Sequence, residues 1–403
     1  MAESGIAGPR LGGDEPHPFG RLLRVAMVCP YSLSVPGGVQ AQVMGLSREL
    51  RRMGIEVRVL APCDGPPPAT FVTPLGNSLP TSANGSMAPL APDPSCSLRT
   101  MRALGDEQFD VLHLHEPFTP GPTQTAMLLH PAPVVATFHA AGDSASYKYL
   151  RTAIKPAANN IAHAVAVSKD AAELVRRYLG GNYEILYNGV ELDAYSSAPA
   201  HPTSGPTIFF CGRHEERKGL DVLLAAVQQL GPEIRVWVGS TGPDTARLRA
   251  QYGDDSRIEW LGRLTDADKM ARLRGADVFC APSLHGESFG VVLIEAMAAE
   301  TAIVASGLDG YRNVATDEVD AILVEPGDVA ALAAGLHRVL SEPALSLKLR
   351  QAGSVRANDF SMTALAKRYA EHYVRLAANR PRRESPLTRE SFLRSWRRRM
   401  MAD

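Results

Sequence analysis

The chain has 403 residues, a net charge of −1 at pH 7 and an apolar content of 45%. This length exceeds what one hydrophobic core usually supports, so the sequence predicts two globular domains. The nearly neutral charge argues against a nucleic-acid-binding protein, because such a protein needs a basic face over much of its surface.

The cysteine content and the N-terminal region indicate the cellular compartment of the protein. The five cysteines occur singly, without a CxxC pair, which favours reduced core thiols over disulfides or a metal site. Residues 1–20 are rich in Gly and Pro, lack the apolar segment of a signal peptide, and are expected to form a disordered leader. No run of about 18 apolar residues occurs anywhere in the chain. We therefore expect a cytoplasmic protein.

In the first half, short apolar runs typical of strands alternate with helical stretches. This alternation predicts βαβ units and a parallel sheet. The predicted strands are 23–29, 56–61, 110–115, 133–139, 163–168 and 183–188, and the predicted helices are 38–53, 144–160 and 169–179.

A polar, Pro-rich stretch at 196–206 interrupts the alternation and is interpreted as a linker, so the first domain is placed at 21–195. The alternation then restarts, which predicts a second Rossmann-like domain at 207–378 followed by a basic tail at 379–403. Its predicted strands are 207–212, 234–239, 257–262, 277–283, 301–306 and 321–326, and its predicted helices are 218–230, 265–275, 290–299, 328–358 and 362–377.

Ligands of such sheets bind at the carboxyl ends of the strands, so two Rossmann-like domains facing one another would form a central cleft. Gly37 and Gly38 follow the first strand, where glycine lets a ligand approach backbone N–H groups closely. Glycine is also common in strand-to-helix turns for conformational reasons alone. The loop matches neither the GxGxxG fingerprint nor the Walker pattern.

Arg213 and Lys218 follow the first strand of the second domain. Two cations at the carboxyl end of a strand suit a diphosphate, since arginine offers a planar fork and lysine a point charge. The alternative is a pair of solvated cations.

Two glutamates, Glu287 and Glu295, stand eight residues apart around a Phe-Gly pair where an apolar helix begins. The helix start at Gly290 offers free N–H groups to a pyrophosphate, and Glu287 would face the group that the phosphates carry. Glu295 lies among apolar neighbours and must accept hydrogen bonds, for example from a sugar or ribose diol. The alternative is a helix-capping Glu287 and a buried Glu295 paired with an arginine.

Histidines and acids elsewhere invite other interpretations. His139 ends a predicted strand and is a candidate to contact a ligand, although a lone histidine is more often a satisfied polar residue. His113 and His115 alternate on one strand, but spacing supplies no complete ligand set, so no metal site is predicted. The Asp266-Ala267-Asp268 sequence is interpreted as an acidic first turn of a helix.

Taken together, these motifs resemble the retaining GT-B glycosyltransferases of family four over about residues 22–378. The match rests on Gly-Arg…Lys-Gly at 212–219 and on the two glutamates at 287 and 295. Within that family, the runs VCPYS, VPGGVQ, FDVLHLHEP, VATFH and GESFGVVLIEAMAA resemble the actinobacterial phosphatidylinositol mannosyltransferases.

The resemblance implies GDP-mannose as donor, an inositol lipid or related polyol as acceptor, and no organic cofactor; it places no Mg²⁺ ligands. It implies that Arg213 and Lys218 hold the diphosphate, Glu287 the sugar, Glu295 the ribose, and that His139 contacts the sugar. The remaining residues implied for the donor are Gly37, Gly38, Ser288, Phe289 and Gly290, and those implied for the acceptor are Tyr31, Gln40, Asn84 and Ser86.

The acceptor side departs from the family pattern. Met87, Ala88 and Pro89 stand where a basic residue is expected, and AAGDSAS replaces a Thr- and Lys-containing loop at 140–146. A UDP-sugar-dependent transferase acting on a soluble inositol phosphate or a sugar, a nucleotide-sugar epimerase and a catalytically silent binding module therefore remain alternatives.

The tail from Arg380 contains eight arginines, with Phe392, Trp396 and Met400 recurring every four residues. As a helix this segment would align apolar residues along one side among arginines, the pattern of an interfacial anchor. We expect it to attract the protein to the anionic inner face of the plasma membrane, the alternative being a solvated tail.

Overall fold

The computed structural model describes residues 21–83, 86–140, 154–287 and 289–379. The chain divides into two compact units. The first unit contains the described residues up to Gly189 together with those from Met362 onward, and the second unit spans Val190–Ser361. The predicted leader and basic tail lie outside the described residues.

The first unit is built on a parallel sheet with the strand order β3-β2-β1-β6-β7-β8-β9. A separate antiparallel pair joins β4 to β5. The strands are β1 Arg24–Val28, β2 Glu56–Ala61, β3 Val72–Pro74, β4 Leu79–Ala83, β5 Ser86–Leu90, β6 Val111–His115, β7 Val134–Phe138, β8 Ile161–Ala166 and β9 Glu184–Ile185. The helices described from end to end are Gly38–Arg52, Pro94–Asp106, Pro122–Leu129, Lys169–Leu179 and Met362–Ala378.

The second unit repeats the architecture with a parallel sheet in the order β12-β11-β10-β13-β14-β15. Its strands are β10 Thr207–Cys211, β11 Arg235–Gly239, β12 Ile258–Gly262, β13 Val278–Ala281, β14 Ala302–Ser306 and β15 Ile322–Val324. Its helices are Leu192–Ser196, Leu220–Val227, Thr245–Tyr252, Asp266–Gly275, Val291–Ala298, Asp309–Arg312, Val329–Ser341 and Pro343–Ala357, with short 3₁₀ turns at Glu216–Lys218 and Asn358–Phe360.

The central strands form because their side chains are apolar on both faces. β6, β7 and β14 are buried at every position, as expected for parallel strands covered by helices on both sides. Each unit thus has its own core, and the two Rossmann-like sheets confirm the predicted fold class.

The chain changes unit earlier than the sequence predicts. The predicted linker at 196–206 belongs to the second unit, where the His201 backbone N–H donates to Ala271 O at 2.9 Å. Its prolines and serines mark a surface segment that is hydrogen-bonded to a helix. The boundary predicted at residue 195 is therefore wrong, and the structure places it between Gly189 and Val190.

The final helix also belongs to a different unit from the one predicted. Met362–Ala378 packs on the first unit, although the sequence assigned it to the second. Its apolar residues recur at helical spacing and join the core formed by β1 and β2. They are Met362, Ala366, Tyr369, Ala370, Tyr373 and Ala377. The predicted helix 328–358 is two helices, because Pro343 starts the second of them.

In the part of the chain that the structure describes, none of the helices has both the length and the apolar character that crossing a membrane requires.

Candidate functional site

Two loops at the carboxyl ends of β10 and β13 lie against each other in the second unit. Gly219 has φ +65°, and a Cβ there would overlap with the carbonyl oxygen of Pro282, so the contact requires glycine. The Leu284 backbone N–H donates to Arg217 O at 2.8 Å and ties the loops together. This contact brings Lys218 beside Glu287.

Glu287 is partly buried, with 12% of its side chain exposed, and its Oε1 has three donors. Lys218 Nζ lies 2.5 Å away, Ser283 Oγ 3.1 Å and Arg217 Nη1 3.3 Å. The carboxylate is therefore fixed in place. Charge-assisted hydrogen bonds of this kind are among the stronger ones in proteins.

The structure does not bring Arg213 to this carboxylate. Its side chain is 54% exposed, and its Nε lies 3.7 Å from Glu215 Oε2. Arg217 takes the position beside Glu287, and it also pairs with Glu215 through Nη2 at 2.6 Å. The sequence pointed to Lys218 and missed Arg217, although the two are adjacent in the chain.

The apolar helix Val291–Ala298 begins after Gly290, as predicted. Gly290 has φ +85°, and a Cβ there would lie 2.6 Å from Tyr311 Cδ1. Phe289 is buried and makes an edge contact with Phe360, with ring centroids 5.5 Å apart. Ser288, predicted to bind the donor, lies outside the described residues.

Glu295 is partly buried in this helix and is held by partners from two distant segments. Its Oε1 accepts from Lys269 Nζ at 2.7 Å and from the Tyr195 hydroxyl at 2.8 Å. Burial alone would lower the pKa of Lys269, but Glu295 and Tyr195 outweigh it and raise that pKa. The expected hydrogen-bonding partners thus exist, with a lysine and a tyrosine in place of the arginine.

In the first unit, the Gly37-Gly38 loop is braced by Gln40. The buried Gln40 amide donates to Val35 O at 3.1 Å and to Ser32 O at 3.4 Å. Its Oε1 and Cδ occupy the space that a Cβ at Gly37 would need, whereas nothing lies within 4 Å of a Cβ at Gly38. Gln40 therefore packs against the loop and supports its conformation.

The other residues predicted on the acceptor side are described unevenly. Tyr31 forms an isolated bridge to Leu90, and burial raises its pKa, as does the nearby Glu116 carboxylate. Ser86 begins β5, and Asn84 lies outside the described residues. Most of the 140–146 loop is likewise not described.

His139 follows β7 and is fixed at its backbone and its ring. The Glu116 carboxylate accepts from the backbone N–H groups of His139 and Ala140 at 2.6 and 2.7 Å. The His139 ring contacts His115, with Nε2 2.8 Å from His115 Nδ1. Burial lowers the pKa of His139 to about 3, so the imidazole is neutral at physiological pH.

The histidines considered for metal binding have other partners. His113 lies 2.6 Å from the Tyr373 hydroxyl and 2.7 Å from Thr137 Oγ1, which occupies both ring nitrogens. The Asp266–Asp268 sequence is a helix start, as predicted, because Thr265 Oγ1 accepts from the Asp268 backbone N–H.

The described residues contain one cluster with metal-compatible atoms, formed by His163, Glu184 and His372. Both histidine Nε2 atoms lie within 2.9 Å of Glu184 Oε2, and Arg368 Nε donates to Oε1 at 2.9 Å. Arg375 Nη2 lies 2.8 Å from His372 Nδ1, so that nitrogen accepts and Nε2 carries the proton. The cluster is a hydrogen-bonded carboxylate that fastens the final helix to β9.

Comparison with known proteins connects this geometry to a family. The model of Glycosyltransferase Family 4 matches residues 36–194, and that of Glycosyl transferases group 1 matches residues 193–356. The chain is 41% identical over 356 residues to phosphatidyl-myo-inositol mannosyltransferase of Mycobacterium leprae, covering 85% of this chain and 94% of that protein. The chain belongs to glycosyltransferase family four.

Two further likenesses place this glycosyltransferase more broadly. It is 28% identical over 397 residues to D-inositol 3-phosphate glycosyltransferase of Xylanimonas cellulosilytica, covering 86% of this chain and 94% of that protein. The solved sucrose-phosphate synthase of Thermosynechococcus elongatus matches with a TM-score of 0.69 at 20% identity, over 89% of this chain and 100% of that one. The fold is GT-B, and the protein is a hexosyltransferase.

Proposed function

We propose that this glycosyltransferase moves mannose from GDP-mannose to an inositol lipid, with retention at the anomeric carbon. The proposal is supported by six relatives at 34 to 41% identity, all named phosphatidyl-myo-inositol mannosyltransferase. The observation that carries it is the partly buried Glu287 carboxylate held beside Lys218, since a carboxylate accepts sugar hydroxyls and an ammonium binds phosphate.

The donor would bind to the second unit, with its diphosphate beside cationic side chains and its hydroxyl groups beside carboxylates. Lys218 would hold the diphosphate, and the exposed Arg213 would also contact the diphosphate, from the solvent side. Glu287 would accept hydroxyls of mannose. Glu295 would accept a ribose hydroxyl at Oε2, since both of its recorded donors, among the described residues, bind Oε1.

The remaining donor contacts would come from backbone and from the first unit. The N–H groups beside Gly290 and those of the Gly37-Gly38 loop would approach the phosphates. His139 would contact the sugar. On the acceptor side, Tyr31 would contact the acceptor directly. Gln40 would act indirectly, by holding the loop that lies beside the acceptor.

The reaction is a substitution at the anomeric carbon on a single face of the sugar. The bond from that carbon to the phosphate oxygen breaks, a bond to the acceptor oxygen forms, and the acceptor proton passes to the departing phosphate. Positive charge develops on the sugar and negative charge on the diphosphate. Catalysis would therefore depend on orientation and on the cations that support the leaving diphosphate.

The test is a transfer assay with a panel of donors and acceptors. GDP-mannose, UDP-glucose and UDP-N-acetylglucosamine are each incubated with phosphatidylinositol vesicles or with soluble inositol phosphate, with Lys218→Ala as the inactive control. We expect mannose only on the lipid. Transfer from a UDP-sugar to soluble inositol phosphate would support the second candidate instead, which the 28% identity to D-inositol 3-phosphate glycosyltransferase favours.

Donor-only incubations address an epimerase, which would convert the nucleotide-sugar without any acceptor. Assays with and without Mg²⁺ address a metal, for which the sequence places no ligands.

Membrane attraction is assigned to the basic tail that begins at Arg380. Each cation near an anionic leaflet contributes on the order of 1 kcal/mol, so eight arginines suit reversible binding. Deleting residues 380–403 should abolish sedimentation with anionic vesicles while leaving donor hydrolysis intact. Unchanged sedimentation of the truncated protein would refute the assignment.

A further inference from the structure

Met27, His115 and His139 form a line of contacts through the first unit. Met27 Sδ lies 3.1 Å from His115 Nε2, and His115 Nδ1 lies 2.8 Å from His139 Nε2. Met27 and His115 are almost fully buried on the adjacent strands β1 and β6. The line begins at a core thioether and ends at the ring that we assign to the sugar.

The chemistry of the thioether determines where the protons lie. A methionine sulfur can only accept a hydrogen bond, so a nitrogen 3.1 Å from it is satisfied when it carries the proton. Burial depresses the pKa of both imidazoles, that of His115 far below its usual value, so each ring is neutral and carries a single proton. His115 therefore has Nε2–H and an unprotonated Nδ1.

An unprotonated His115 Nδ1 fixes the next ring. His139 Nε2 lies 2.8 Å from it and must donate, so His139 carries its proton on Nε2 and has a lone pair on Nδ1. The reverse arrangement would set the His115 Nε2 lone pair against the sulfur lone pairs and leave both unsatisfied in the core. No described residue hydrogen-bonds His139 Nδ1.

The surroundings hold the ring orientation that this assignment needs. Glu116 fixes the His139 backbone, because one of its carboxylate oxygens accepts hydrogen bonds from the N–H groups of His139 and Ala140. The Glu116 backbone itself has φ +50°, a conformation that residues other than glycine rarely adopt. His113 stacks on His115, with ring centroids 4.4 Å apart, and His115 stacks on His139 at 5.1 Å.

We propose that Met27 and His115 are positioning residues that hold His139 in its Nε2–H tautomer, so that Nδ1 accepts a hydrogen bond from a hydroxyl of the transferred sugar. The assignment to a sugar rests on the proposed function, whereas the tautomer does not. A lone pair on Nδ1 attracts a hydroxyl and repels an unprotonated phosphate oxygen. His139 thereby discriminates the sugar from the diphosphate.

The direct test is the tautomer itself, read from long-range ¹H–¹⁵N correlation spectra of the histidine-labelled protein without substrate. His115→Asn and His139→Gln spectra assign the signals. We expect protonated Nε2 and bare Nδ1 in both rings at pH 7. A proton on His139 Nδ1, or a doubly protonated ring, would overturn the proposal whatever the protein's activity.

Substitutions then connect the tautomer to turnover. Met27→Leu keeps the volume but removes the acceptor, and Met127→Leu, at a second fully buried methionine, is the matched control. His115→Leu removes the acceptor for His139, whereas the amide oxygen of His115→Asn can replace it. We expect mixed His139 tautomers and about a 5- to 10-fold lower kcat in Met27→Leu and His115→Leu, with the KM of the donor changed less than 2-fold.

Recovery in His115→Asn separates a hydrogen-bonding role from packing. If all three variants lose kcat equally while the His139 tautomer stays unchanged, the residues only pack and the proposal fails. If the tautomer is as expected but mannose is not the sugar transferred, only the proposed function fails.

Discussion

Removing the ammonium of Lys269 tests whether a partly buried ion pair holds Glu295 in place. Lys269 Nζ lies 2.7 Å from Glu295 Oε1, and the two side chains are 23% and 14% exposed. Methionine in place of Lys269 keeps the length of the side chain and leaves the carboxylate with the Tyr195 hydroxyl. Removing one partner of a fully buried pair costs about 3–5 kcal/mol. Because water reaches part of this pair and Tyr195 remains, we expect a loss of about 2–3 kcal/mol in the free energy of unfolding.

Tryptophan fluorescence during denaturant unfolding measures this loss in the second unit alone. Trp237 and Trp260 lie in that unit, and Trp396, the third tryptophan of the chain, is replaced by Phe in all variants. The double variant Lys269→Met/Glu295→Gln removes both charges and should recover most of the stability, because no unpaired carboxylate remains.

Lys348→Met, at an exposed lysine of the same unit, is the control and should change stability by less than about 0.5 kcal/mol. The reasoning is refuted if Lys269→Met is as stable as the control, or if the double variant is less stable than Lys269→Met.

Three other predictions follow from the site. Lys218→Ala and Glu287→Ala should each lower kcat by about 10²- to 10³-fold with an unchanged circular dichroism spectrum, since each would lose the charged contact that we propose to the transition state; near-normal turnover in either folded variant would remove it from the site. His139→Ala should lower kcat more than it weakens GDP binding measured by calorimetry, and the opposite pattern would assign the residue to the nucleotide. The pKa of the buried His113 falls to about 3 in the fold, so the unfolded state takes up its proton first as pH falls below about 6.5. Stability should then drop by about 1.4 kcal/mol at pH 5.5 through this residue, and His113→Gln should show a shallower fall with acidity than the unsubstituted chain.

The sequence predicted the second unit more completely than the first. Its six strands are apolar runs separated by helices, a pattern that local composition reveals, and all six are present. In the first unit the hairpin of β4 and β5 and the helix Pro122–Leu129 were not predicted. Proline usually signals a break, but Pro122 occupies the first turn of its helix, where its missing N–H costs nothing.

Partners distant in the chain limited the prediction of the site. Glu287 and Glu295 are visible as a pair because their spacing is local. Lys269 and Tyr195 stand 26 and 100 residues from Glu295, and no periodicity connects them. The sequence also could not show to which unit the final helix belongs, because the apolar face of this helix would pack equally well on either sheet.

The first and last residues of the second unit lie close together within that unit, which bears on the order in which the protein folds during synthesis. Val190 N donates to Phe360 O at 2.9 Å, and a Cβ at Gly189 would lie 2.8 Å from Met362 Cα. The second unit is thus one continuous segment of the chain, and its whole sequence is available for folding once residue 361 leaves the ribosome. The first unit lacks part of its core until the final helix has been synthesised, so the half of the protein translated first is the last to finish folding.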